Sequence, residues 1–80
     1  MPYSHLPEEE QARQRRIDYN ATFGSEHGHR VLQDLITDVC HLYQTSIGKD
    51  IHEMAIREGE RNVGLQIMEQ LNHELRSRIL

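Results

Sequence analysis

The stretch Glu58–Leu71, EGERNVGLQIMEQL, decides how the chain folds. It joins a charged segment, two glycines five residues apart and an apolar run, with no strand pattern and no proline. These features predict a helix that packs on something else, and they carry no recognisable chemistry. Working upstream, Asp50 is a natural N-cap with Glu53 three residues on, an Asp form of the capping box. The helix is therefore expected from Ile51 to about Leu75 or further. Its apolar residues fall on two sides. Ile51, Met54, Ala55 and Leu65 share one face; Val63, Ile67, Leu71 and Leu75 share a roughly opposite one, with Met68 between. Two apolar faces require either a bend, for which Gly59 and Gly64 are suitably placed, or burial on both sides.

The remainder of the chain supplies partners for that helix. Val31, Leu32, Leu35, Ile36, Val39, Leu42 and Tyr43 recur at threes and fours, with Asp34 and Asp38 opposite, which predicts a helix from Ser25 to about Gln44. Ser25 is its N-cap, although Gly28 allows a start as late as residue 28. Thr45–Lys49 reads as a turn around Gly48. Before Ser25, Pro7 and the acids Glu8, Glu9 and Glu10 mark a helix start, with proline at the first helical position. Arg13, Arg15 and Arg16 follow at spacings that support ion pairs with the Glu run. Tyr19 and Phe23 give this first helix its apolar grip, and Gly24 stops it. Residues 1–6 read as a flexible arm and residues 7–80 as one helical domain. The fold class is all-α: a small bundle of three helices dominated by an antiparallel pair of long helices. Val31, Leu32, Leu35, Ile36 and Val39 are expected to pack on the third helix, with Tyr19 and Phe23 closing one end.

Eighty residues make at most one domain, and 36% hydrophobic content leaves a thin core. A net charge of −4 disfavours direct binding of nucleic acid. Arg13, Arg15 and Arg16 are the residues through which a DNA contact would be made. Cys40 is the single cysteine, which excludes an internal disulfide, and it reads as a buried, inert thiol. The six histidines lack ligand spacing; His52-Glu53 has no second histidine four positions after His52. No metal site, cofactor or catalytic constellation is expected, and the chain reads as a non-enzyme. No apolar run approaches membrane-spanning length, and the first residues lack a secretory pattern.

One pattern points further. Tyr19-x-x-x-Phe23-x-x-x-x-Gly28-x-Arg30-Val31-Leu32-x-Asp34-Leu35, followed by Glu58-Gly59-x-Arg61-Asn62-Val63-Gly64-Leu65-x-Ile67, resembles a family of small proteins encoded by tailed bacteriophages, of the Bordetella podophage structural-region type. The resemblance covers roughly Asp18 to Leu71; the Pro7–Arg16 segment and the residues after Asn72 depart from it. It implies a phage-encoded, non-enzymatic protein associated with the virion, located in the virion or the host cytoplasm.

The expected activity is protein binding, in virion structure or assembly; a phage-encoded inhibitor or trigger of a host defence system is the alternative. The candidate interaction residues are Glu58, Gly59, Arg61, Gly64, Ile67, Leu71 and Leu75. Gly59 is expected to allow close contact with the second helix, and Arg61 to reach Asp34 or Asp38. The partners are other virion proteins, a host protein or the chain itself. A two-fold dimer through the third helix is the simplest assembly, because one of its apolar faces is left over.

Overall fold

The structure, a computed structural model, describes residues 1–42 and 50–79. The turn read at Thr45–Lys49 and the positions Tyr43 and Gln44 lie outside the described residues. The described residues are helical throughout their ordered elements: α1 (Glu8–Phe23), α2 (Glu26–Asp34) continuing into a π-helical turn (Leu35–Val39), α3 (Ile51–Gln70) and α4 (His73–Ile79).

Pro7 stands at the N-cap of α1 rather than at its first position, and its carbonyl accepts the Gln11 N–H at 3.0 Å. Glu8, Glu9 and Glu10 occupy the first turn, at the positive end of the helix dipole. Among the described residues they make no ion pair with Arg13, Arg15 or Arg16, contrary to expectation. Arg15 instead lies over the ring of Tyr3, 4.9 Å from its centroid. Tyr3 also donates its phenol hydrogen to Asp18 Oδ2 at 2.9 Å, which places the first residues against the side of α1. Gly24 closes α1 by donating its N–H to the Asn20 carbonyl at 2.9 Å.

Ser25 caps α2 as its position predicts, accepting the Gly28 N–H at 3.0 Å. The short connection brings Gly28 so close to α1 that a Cβ there would overlap the Thr22 carbonyl oxygen. Gly28 is therefore required for close approach, and is not simply a weak point in the first turn of α2.

At Leu35 the helix widens. The Cys40 N–H donates to the Leu35 carbonyl, five residues back, at 2.7 Å. One extra residue in a turn rotates everything after it. His41 then takes a left-handed conformation, with φ at 50°, and the Leu42 N–H closes on the Ile36 carbonyl at 3.0 Å. This bond reaches six residues back, one more than the usual left-handed helix end, in keeping with the widened turn, and histidine holds the left-handed place more often taken by glycine.

The core differs from the expected one, and the widened turn accounts for the part after it, where Cys40 and not Val39 faces inward. Leu32, Ile36, Cys40 and Leu42 point inward and are buried. Val31 and Val39 stay about half-exposed, and Leu35 is only partly buried.

α3 starts as expected, with Asp50 Oδ1 accepting the Glu53 N–H at 2.8 Å. It runs unbroken past Gly59 and Gly64, and the interruption comes later than those glycines suggested. Leu71 is extended (φ −89°, ψ 148°), and Asn72 caps a separate helix, accepting the Leu75 N–H at 2.9 Å. The count of three helices is thus corrected to four, and Leu75 belongs to α4.

The core is built from two limbs. Leu32, Ile36 and Leu42 come from the α2 limb; Leu71, Leu75 and Ile79 come from the α3–α4 corner and α4. Tyr19, Phe23, Ile67 and Met68 seal its edges, with the Tyr19 and Phe23 rings edge-on at 6.0 Å. Each fully buried aliphatic side chain contributes about 1.5–3 kcal/mol. The i,i+4 pairs Arg30–Glu26, Arg57–Glu53 and Arg78–Glu74 are at the surface, the second of them partly buried, and are worth at most about 1 kcal/mol each. Burial of this six-residue cluster therefore dominates stability.

Candidate functional site

The residues that sequence reasoning placed on an interaction face divide into two groups. Leu71 and Leu75 are core residues, 2% and 5% exposed, and a partner does not reach them in the folded chain. Gly64 is buried as well: a Cβ on it would stand 3.1 Å from Cys40 Cβ and 3.6 Å from Leu42. The close helix contact expected at Gly59 is made at Gly64 instead. Gly59 has no atom within 4 Å of where its Cβ would be. Ile67 is half-buried against the core.

Glu58, Gly59 and Arg61 lie on the outer side of α3, exposed. Arg61 does not reach Asp34 or Asp38; among the described residues neither Glu58 nor Arg61 makes an ion pair. The reason is rotational. Gly64, Ile67 and Leu71 set the inward side of α3, and Arg61 stands on its flank, exposed.

With Leu71 turned inward, the opposite apolar face of α3 remains open. Ile51 is 81% exposed, Met54 40% and Leu65 46%. Ala55 is exposed on the same face. These residues were legible as one side of the helix but could not be assigned to the outside without the packing of Gly64. Ile56 and Val63, also exposed, lie on a different flank. Val63 borders a groove shared with Arg15, Tyr19 and Ile67.

On the inward side, the end of the π turn meets α3 through polar groups. His41 Nε2 approaches Glu60 Oε2 at 4.0 Å. Burial pushes the Cys40 thiol above its usual range, and the nearby Glu60 carboxylate adds to that shift. Such a thiol is a poor nucleophile at neutral pH, which agrees with its reading as a packing residue. Among the described residues, no three His, Cys, Asp or Glu side chains converge as metal ligands would. No helix among them is long and apolar enough to cross a membrane.

The second polar cluster holds the α3–α4 corner. Asn20 of α1 donates to the Gln70 carbonyl at 3.0 Å and accepts the Asn72 N–H at 2.8 Å. Arg76 donates to the Leu71 carbonyl at 2.8 Å. The backbone groups freed by the break are thereby paired.

What the geometry defines is a small helical protein with a closed core and, on α3, an exposed helix face of mixed apolar and charged residues. Comparison with known families agrees with the sequence pattern: residues 19–79 match the family described as Bbp19-like phage protein. The chain belongs to that family. The match takes in α4, beyond the end of the resemblance at Leu71. No curated protein and no solved structure matches the chain.

Proposed function

We propose that this phage protein is not an enzyme and acts by binding other proteins, as a structural or assembly component of the virion. Its place of action is then the particle or the host cytoplasm in which particles are built. The observation that carries this reading is the outer face of α3. Ile51, Met54 and Leu65 stand in solvent on a chain whose core is small, so aliphatic side chains are displayed that the chain could have buried. Exposed apolar residues interleaved with charges along one helix face suit a protein-contact surface. Family membership supplies the phage context.

Mass spectrometry of purified particles and of assembly intermediates tests the proposal. The protein is expected in at least one of them at a defined copy number. Absence from every stage, together with recovery of a stoichiometric host protein in a pull-down, would transfer the assignment to a host-directed binder.

A further inference from the structure

The outer face of α3 has a pattern that specifies its occupant. Ile51, Met54, Glu58, Arg61, Leu65 and Met68 follow one another at spacings of three, four, three, four and three. This is the a/d spacing of a coiled-coil seam. It spans about 26 Å of helix at 1.5 Å per residue. Five of the six are distinct from the core: Ile51, Met54, Glu58, Arg61 and Leu65 are exposed, and Met68 sits half-buried where the seam meets the core edge.

The order of the seam is apolar, apolar, acid, base, apolar, apolar. Reversed, it reads with acid and base exchanged. A second copy laid antiparallel, with the two-fold axis passing between Gly59 and Glu60, sets Ile51 against Met68, Met54 against Leu65 and Glu58 against Arg61. Every layer pairs an a position with a d position, as antiparallel coiled coils require, and both central layers are opposite-charge pairs. A parallel arrangement in register would set Glu58 against Glu58 and Arg61 against Arg61. Charged or polar residues within an otherwise apolar seam fix register and orientation more than they add stability. Neither residue has an ion-pair partner within the described part of its own chain, so both are free to meet one across the axis.

We infer that the outer face of α3 binds a second copy of this chain, forming an antiparallel two-fold dimer in which Glu58 and Arg61 make reciprocal pairs. This rests on the reading of the protein as a protein-binding component and names one of its partners. Ala55 and Asn62, which flank the seam, are small enough to let the helices approach.

Sedimentation equilibrium and light scattering on the full chain give the test. The wild type is expected at the mass of two chains in the micromolar range. Glu58→Arg and Arg61→Glu each place like charges in both central layers and should weaken association about a hundredfold or more. Both residues are exposed, so helical content by circular dichroism should be unchanged. The double variant Glu58→Arg/Arg61→Glu restores opposite charges and should recover the dimer. Orientation is read by oxidising an equal mixture of a Met54→Cys chain and a Leu65→Cys chain: crosslinks between the two kinds of chain are expected to prevail. A wild-type monomer at high micromolar concentration would overturn the inference. So would single reversals that leave association intact, a double variant that stays monomeric, or crosslinking mainly between two Met54→Cys chains. Presence or absence of the protein in particles is independent of these outcomes, so failure of the dimer and failure of the virion assignment are separable.

Discussion

Asn72 donates its backbone N–H to Oδ1 of Asn20, at 2.8 Å across 52 residues of chain, and through this bond α1 holds the corner at which α3 ends and α4 begins. The same Asn20 side chain donates to the Gln70 carbonyl, so one amide group serves both sides of the break. Ending a helix leaves N–H and C=O groups without helical partners. A carboxamide, with a donor and an acceptor on one planar group, answers both needs at once.

Asn20→Ala should therefore destabilise the protein by about 1–2 kcal/mol, the net worth of one or two hydrogen bonds at a partly wet site. Asn20→Asp keeps the acceptor for Asn72 but loses the donor to Gln70, and should fall between. Thermal unfolding gives the energies. Hydrogen exchange should show the Asn72 amide opening selectively in Asn20→Ala. Equal protection of that amide in the variant and the wild type would remove Asn20 from this role.

Two glycines should respond to alanine in opposite directions. At Gly59 a Cβ meets open space, so Gly59→Ala should gain about 1 kcal/mol from helix propensity alone. At Gly28 a Cβ would overlap the Thr22 carbonyl oxygen, a backbone atom that cannot swing away. Gly28→Ala should lower the melting temperature despite the same propensity gain. A stabilised Gly28→Ala variant would mean that α1 and α2 are not packed as described.

Core substitutions should separate residues that the sequence pattern treats alike. Leu32 is fully buried, and Leu32→Ala should cost about 2–5 kcal/mol. Leu35 is only partly buried, so Leu35→Ala should cost clearly less. Leu75→Glu would put a carboxylate without a partner into the six-residue core, and it should abolish cooperative folding rather than act at an interface. Circular dichroism melts check all three; a Leu75→Glu chain with wild-type helicity and stability would show that α4 is not docked.

The Tyr3 phenol should titrate late. Its hydrogen bond to Asp18 favours the neutral form most, with some desolvation and the charge of the same carboxylate acting in the same direction, so its pKa lies above the ordinary 10.0. A folded-state pKa above the unfolded one means that the contact is fully present below the unfolded value and is lost as pH rises through the folded one. Docking of the first residues on α1 should therefore persist through neutral pH and be released only in strong alkali. In an ultraviolet titration, a late tyrosinate component should vanish in Tyr3→Phe and move to lower pH in Asp18→Ala. No movement in Asp18→Ala would rule out the Tyr3–Asp18 contact in solution.

The sequence alone determined what depends on neighbours a few residues apart. The helical class, the Ser25 and Asp50 caps and the Tyr19–Phe23 grip are set by side chains within one or two turns of each other. Family membership was also legible, because the Tyr19–Leu35 and Glu58–Ile67 blocks are contiguous patterns. The Asn72 cap had a local signal too, an asparagine with Glu74 two residues on, but Leu71, Leu75 and Ile79 keep a spacing of four that suits one continuous helix equally well. Only tertiary structure decided between them, since Asn20 and Arg76 supply the hydrogen bonds that make the break tolerable. It also decided the widened turn, which exchanged Val39 for Cys40 in the core, and the choice of Gly64 over Gly59 as the point of close contact. Periodicity states which residues share a face of a helix. It does not state which face meets the core, because that depends on the shape of what lies across from it, here Cys40 and Leu42 against Gly64.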